Sequence, residues 1–129
     1  MIGEKVLNIQ GKNVDPAALQ SKIEDFLKAD GFEVQSSIPS DHGVVIQAKK
    51  GSWFAAVVDA DRALTITVAG PPDNIAVRIA IGKWLQHLVT MVIETLLISD
   101  LFLFVDVAES AWNLEVEDKL VKQIQAFVG

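Results

Sequence analysis

The stretch LTITVAGPPDNIAVRIAI, residues 64–81, predicts two neighbouring β-strands. Before the turn sequence GPPDN, apolar residues alternate with threonines. After it, isoleucines and a valine alternate with alanines and an arginine. A period of two places the large apolar side chains on one face of a sheet and the small or polar ones on the other. The short turn makes the two strands antiparallel.

Three further strand patterns precede this pair. Residues 32–38 alternate in polarity, residues 44–49 follow the breaking sequence Pro-Ser-Asp-His-Gly, and residues 53–58 are apolar on both faces, as in a central strand. Turn-forming residues separate each segment from the next. Five consecutive strands joined by short turns predict an antiparallel meander.

A helix is predicted at residues 16–30, before the meander. Asp15 is a good N-cap and Pro16 suits the first helical position, where no N–H is needed. Gly31 favours the left-handed conformation that ends helices. The apolar stripe has helical spacing and comprises Leu19, Ile23, Phe26 and Leu27.

The run from Trp84 to Ala108 is almost wholly apolar but includes Glu94, Asp100 and Asp106. As one helix it would reach about 38 Å, although each central acidic group would cost roughly 2.5–3.5 kcal/mol in a membrane. We therefore predict a hydrophobic helix, or a helix pair broken at Ser99, buried against protein. Residues 99–107 also fit a short strand.

A second amphipathic helix is predicted from Ala111 to the end, with the apolar positions Val116, Leu120, Ile124 and Phe127. The expected fold is a single α+β domain spanning residues 1–129. It consists of an N-terminal helix, a five-stranded antiparallel meander, a hydrophobic helix or helix pair, and this C-terminal amphipathic helix.

Composition excludes several classes of function. The chain has no cysteine, so disulfides, thiolate nucleophiles and cysteine-ligated metals are excluded. A net charge of −6 argues against nucleic-acid binding. The first residues lack a signal-peptide pattern, and we expect a cytoplasmic protein. Half of the residues are hydrophobic and the mean hydropathy is +0.34, which favours an oligomer that buries the excess apolar surface.

Motifs for catalysis or metal binding are weak. His87, Thr90 and Glu94 fall on the narrow polar stripe of the predicted hydrophobic helix, where they would form a structural polar network. Asp59 and Asp61 lack the later ligands of a calcium loop, and Gly82-Lys83 lacks the rest of a phosphate-binding loop. We predict no enzymatic activity, cofactor or metal site.

The leading functional prediction is a homo-oligomeric protein-binding or scaffolding module. It would form a dimer or a larger assembly, and part of its sheet could bind another protein. Its interface is predicted on the 84–108 segment, at Trp84, Leu88, Val92, Leu96, Phe102 and Phe104. Two alternatives stay open: a carrier of a fatty acyl chain or lipid between sheet and helices, and a peripheral membrane protein that makes contact through residues 101–105.

The stretch from IQAKKG, residues 46–51, to GKW, residues 82–84, resembles a strand meander of small bacterial domains of uncharacterised function. This resemblance implies a fold and no activity. In element order and acidity the chain is similar, at class level, to small dimeric secretion chaperones and their YbjN-like relatives. Five uninterrupted strands before the second helix depart from the chaperone order.

Overall fold

A computed structural model of the chain describes residues 5–49, 62–94 and 114–128. The fold is α+β, as the sequence predicts: a curved antiparallel sheet carries two helices on one face. The described elements in chain order are β1 (Lys5–Gln10), α1 (Pro16–Ala29), β2 (Glu33–Ser36), β3 (Val44–Lys49), β4 (Arg62–Ala69), β5 (Asn74–Lys83), a 3-10 turn (Leu88–Thr90) and α2 (Leu114–Val128).

Helix α1 begins and ends as its sequence predicts. The Asp15 side chain accepts a hydrogen bond from the Ala17 amide at 3.1 Å, and Pro16 follows the cap. At the other end, Gly31 has φ of 89° and its amide donates to the Lys28 carbonyl, while the Phe32 amide donates to the Leu27 carbonyl. These two bonds form a Schellman motif, which satisfies carbonyls that the helix leaves unpaired.

The sheet order is β1-β5-β4-β3-β2, and every neighbouring pair is antiparallel. Strands β2 to β5 follow the chain as a meander, whereas β1 comes from the N-terminal segment and pairs with β5. Ile66 of β4 lies between Ile46 of β3 and Ile79 of β5, so the predicted apolar faces are in register. Gly70, with φ of 106°, closes the β4–β5 turn against the Asn74 carbonyl, where a Cβ would clash.

The main core lies between this apolar face and the helices. Leu19, Ile23 and Leu27 of α1 are buried against it, as are Leu120 and Ile124 of α2. Helix α1 therefore uses the stripe that its spacing predicts. In α2, Leu120 and Ile124 of the predicted stripe are buried, Phe127 is exposed, and the side chain of Val116 lies outside the described ones. Burial of each such side chain contributes roughly 1.5–3 kcal/mol.

A second, smaller core lies on the opposite face of the sheet. Val45 of β3, Leu88 and Ile93 are buried there together, and Leu85 and Met91 pack against them. The segment 84–93 therefore crosses the face of the sheet opposite α1 and α2.

Two differences from the sequence predictions appear. Strand β1 was not predicted. Residues 84–92 form no α-helix: they contain turns, the 3-10 turn Leu88–Thr90 and a bridge between Val92 and Ile38, and α-helical backbone begins only at Ile93. The predicted hydrophobic helix therefore does not begin at Trp84, because long-range hydrogen bonds hold the chain after β5 in another conformation.

Several predictions lie outside the described residues. They are the strand at 53–58, the acidic turn at 59–61, the break at Ser99, the structure of residues 99–107 and the start of the last helix at 111–113. Among the helices that the structure does describe, none is long and apolar enough to span a membrane.

Candidate binding surface at the open sheet edge

The two edge strands of the sheet have different surroundings. Strand β1 pairs with β5 on its inner side, and within the described residues no strand pairs with its outer side. Its side chains Val6, Asn8 and Gln10 are exposed, and Val6 retains 51% of its accessible surface. A strand edge of this kind presents unpaired backbone donors and acceptors.

The β1–β5 register shows which residues of β1 direct their backbone N–H and C=O groups outward. Gly11 lies opposite Asp73 in continuation of the β1–β5 pairing, and the Gly11 amide donates to the Asp73 carbonyl at 2.8 Å. In an antiparallel ladder, hydrogen-bonded and non-hydrogen-bonded positions alternate. Odd-numbered residues of β1 therefore bond to β5, and Val6, Asn8 and Gln10 direct their N–H and C=O groups to the open edge.

A groove runs beside this edge, between β1 and the last turns of α2. Its volume is about 280 Å³. Lys12 supplies a positive charge at one end, and the other lining residues are apolar or carry amides: Leu7, Asn8, Ile9, Gln10, Ile124, Gln125 and Val128. The open edge thus combines backbone hydrogen-bonding groups with an apolar trough, as in surfaces that bind an added strand.

Beside the opposite edge strand, β2, the chain contacts itself. The Ile38 amide, two residues after β2, donates to the Met91 carbonyl at 2.7 Å, and Ile38 forms an isolated parallel bridge with Val92. The Gln35 side-chain amide donates to the Leu85 carbonyl at 2.7 Å. The segment after β5 therefore covers the end of β2.

Gln47 fixes the start of this covering segment. Its buried side chain donates to the Lys83 carbonyl at 2.6 Å and to the Thr65 hydroxyl at 3.2 Å. Its carbonyl oxygen accepts from the Leu85 amide and from Gln35, both at 2.9 Å. The side-chain amide thereby uses its full capacity of two donors and two acceptor sites, which makes burial of such a polar group tolerable.

A second polar cluster joins the end of the segment to the β2–β3 turn. The Ser40 hydroxyl donates to Glu94 at 2.6 Å, and Nδ1 of His42 lies 3.1 Å from the other carboxylate oxygen. The Ser40 hydrogen bond holds the pKa of Glu94 below its ordinary value of 4.5; the Glu94 backbone amide and His42 act in the same direction, against some desolvation.

The cluster has the residue types of a catalytic triad in the wrong order. Activation of a serine requires a histidine between the serine and the carboxylate. Here the Glu94 carboxylate lies between Ser40 and His42, so the hydroxyl donates to the carboxylate and not to an imidazole. This geometry ties two parts of the chain together and differs from the order that activates a serine.

The structure separates the residues of the predicted polar network. Glu94 bonds to Ser40 and His42, whereas the Thr90 hydroxyl donates to the His87 backbone carbonyl at 2.8 Å. The His87 side chain is exposed, and its backbone is left-handed, with φ of 68°. That prediction assumed one α-helix through these residues, and they do not form one.

The predicted interface residues have different environments. Trp84 is half-buried, with Nζ of Lys49 4.3 Å from the centroid of its ring. Leu88 is completely buried within its own chain, and Val92 is half-buried beside Ile38. Leu96, Phe102 and Phe104 lie outside the described residues.

A cleft of about 510 Å³ lies at the end of the sheet, between the start of α1 and two turns. All four prolines of the chain line it, together with Asp15 and Asp41 among others. Its lining also includes Gln20 of α1 and the strand residues Val44 and Val68, so it lies at the end of the layer between α1 and the sheet. In the described ranges, no three acidic or histidine side chains come together as a metal site.

Comparison of the chain with protein-family models, with curated proteins and with solved structures gave no match.

Proposed function

We propose that this chain is a non-enzymatic protein-binding or scaffolding module that acts as a homo-oligomer. The observation that carries the proposal is the open edge of β1, with its outward N–H and C=O groups at Val6, Asn8 and Gln10. Such groups bind an added strand through the same hydrogen bonds that join strands within a sheet.

Composition supports self-association. Half of the residues are hydrophobic, and a 14.0 kDa chain has a limited core in which to bury them. The class-level resemblance to small dimeric chaperones favours the same role. The absence of cysteine suits a reducing compartment, and the proposal therefore places the protein in the cytoplasm.

Two surfaces compete as the site of self-association: the β1 edge and the 84–108 segment. The described part of that segment uses Leu88 in its own core and Val92 to cover β2. Within the described ranges the β1 edge has no such internal use, which favours it as the interface. Val89 in the 84–108 segment is exposed, so that segment is the second candidate interface, and an experiment must distinguish the two.

The test is the absolute mass of the purified protein, measured by light scattering on a sizing column without detergent over a range of concentrations. We expect a discrete species at twice 14.0 kDa or a higher whole multiple. A mass of 14.0 kDa at every concentration would contradict the proposal. Mass spectrometry of an organic extract, run in parallel, would reveal co-purified lipid if the chain were instead a carrier.

A further inference from the structure

We propose that the open edge of β1 pairs with the same edge of a second copy, antiparallel, around a two-fold axis at Asn8. The two five-stranded sheets would then join into one sheet of ten strands. This inference rests on the proposed homo-oligomeric function and names the partner that occupies the edge.

Symmetry restricts how two β1 strands can meet. A two-fold axis perpendicular to the sheet reverses the strand direction and keeps both pairs of helices on the same face. Hydrogen-bonded positions must then pair outward-directed residues of both copies, which are Val6, Asn8 and Gln10. The register centred on Asn8 pairs Asn8 with the partner's Asn8 and Val6 with the partner's Gln10, and so uses all three.

The same register matches the side chains on the helix-bearing face. Leu7 falls opposite the partner's Ile9 at a non-hydrogen-bonded position, where Cα atoms approach to about 4.5 Å. Leu7 and Ile9 already line the groove beside α2. Each copy therefore extends the apolar wall of the other's groove, and the trough becomes part of a continuous core.

Charge favours this segment as the place where two copies meet. The chain carries a net charge of −6, so most approaches of two copies are repulsive. From Lys5 to Val14 the sequence contains no acidic residue. The proposed register places Lys5 opposite the partner's Gly11, which avoids a pair of like charges across the strands.

The contacts beside β2 favour association that stops at two copies. The segment 84–92 bonds to Ile38, just after β2, and to the Gln35 side chain, so it obstructs an added strand there, whereas the described β1 edge has no such neighbour. Pairing of β1 with itself uses that edge completely. A self-complementary contact of this kind closes, whereas two different open edges would continue into a filament. The partner we infer is therefore a second copy of this chain in a closed dimer.

Cysteine cross-linking tests the register directly, because the natural chain contains no cysteine. In hydrogen-bonded antiparallel pairs, Cα and Cβ atoms both lie about 5.5 Å apart, wider than the Cβ separation of an unstrained disulfide but within reach of a short cross-linker. We expect Asn8→Cys to form a covalent dimer with a short bifunctional methanethiosulfonate reagent, seen on a non-reducing gel and reversed by reductant.

Single variants at the flanking positions serve as matched controls. Val6→Cys and Gln10→Cys should each stay uncross-linked, because four residues of strand, roughly 13 Å, separate each from its own counterpart. The double variant Val6→Cys/Gln10→Cys should cross-link. Val89→Cys, exposed at the other side of the sheet, should not.

Two contrary results have different meanings. If light scattering shows a dimer and neither Asn8→Cys nor the double variant cross-links, the β1 pairing is wrong while the homo-oligomeric function stands. If the uncross-linked chain is a monomer at all concentrations, both proposals fail. Circular dichroism of each variant, compared with that of the natural chain, shows whether the substituted chain retains its fold.

Discussion

The two edges of the sheet show two ways of treating unpaired backbone groups. Beside β2, the chain returns at the end of the strand, where Ile38 bonds to Met91 and the Gln35 side chain bonds to Leu85. At β1, no described segment returns, and the backbone groups of Val6, Asn8 and Gln10 point outward. Within the described residues, the end of one edge is covered by the chain and the other edge is open.

The difference also shows in what each edge does to prevent pairing. Edge strands are often protected by proline, by a bulge or by charged side chains, especially lysine. Strand β1 contains no proline, its pairing with β5 runs without interruption from Lys5 to Gln10, and its one charged residue is Lys5 at the first position. Residues 6–10 carry none of these devices, as a strand-pairing interface requires.

The largest expected effect is on dimerisation, when hydrogen bonding at the open β1 edge is blocked. In Asn8→Pro, both copies lose the backbone N–H that bonds across the two-fold axis. The ladder to β5 stays intact because the backbone N–H and C=O of Asn8 point away from β5. Loss of two hydrogen bonds, with two carbonyls left unpaired, should raise the dimer dissociation constant about hundredfold. Concentration-dependent light scattering measures the change.

The matched control is Asn8→Thr, which retains the backbone N–H and suits a strand. It should dimerise nearly as well as the natural chain. Val92→Glu should weaken the packing of the covering segment on Ile38 and leave the dimer mass unchanged, because the introduced charge itself prevents strand pairing at that edge. A monomer produced by Val92→Glu but not by Asn8→Pro would move the interface to the 84–108 segment.

The next largest effect is on folding stability, through the Gln47 hydrogen bonds that hold the start of the covering segment. In Gln47→Ala, the Leu85 amide, the Lys83 carbonyl and the Gln35 side chain lose their shared partner. Because these groups are wholly or partly buried, the free energy of unfolding should fall by about 3 kcal/mol. Urea unfolding followed by tryptophan fluorescence measures it, since Trp84 lies beside this network.

Gln86→Ala is the control for that substitution. Gln86 is exposed in the same connecting segment, so its loss should change the free energy of unfolding by less than about 0.5 kcal/mol. Equal effects of the two variants would show that Gln47 does not anchor the segment.

The smallest effect concerns the Ser40–Glu94 contact, which ties down the end of the covering segment. Because the folded pKa of Glu94 is lowered, its contribution to stability is complete above the ordinary value of 4.5 and is lost as the pH falls through the lowered pKa. The natural chain should therefore lose slightly more stability than Glu94→Gln between about pH 5 and pH 3.

Urea unfolding at a series of pH values gives both curves. Ser40→Ala should remove part of the difference, since the Ser40 hydroxyl is the largest cause of the lowered pKa. Parallel curves for the natural chain and Glu94→Gln would show that the contact does not persist in solution.

Local signals in the sequence predicted much of the fold. The cap at Asp15, the stop at Gly31 and the stripe of α1 depend on neighbours within a few turns, and the structure places the helix within one residue of the prediction. Strands β3, β4 and β5 also followed from alternation and turn chemistry. These features need no knowledge of distant contacts.

The errors arose where distant residues decide the structure. The helical pattern from Trp84 is overridden because Gln47, far earlier in the chain, bonds to Lys83 and Leu85. Strand β1 was missed because Val6 breaks its alternation and its partner lies in β5. A single polar residue in the apolar strand VVIQAK was the available signal for Gln47, and its partners could not be inferred from spacing.

Hydrogen exchange of individual β1 amides, followed by NMR, tests the central claim most directly. The account predicts that at high protein concentration the amides of Val6, Asn8 and Gln10 are protected along with those of Leu7 and Ile9, and that on dilution only the three outward amides lose protection. Fast exchange of those three amides at every concentration, with Leu7 and Ile9 still protected, would contradict it.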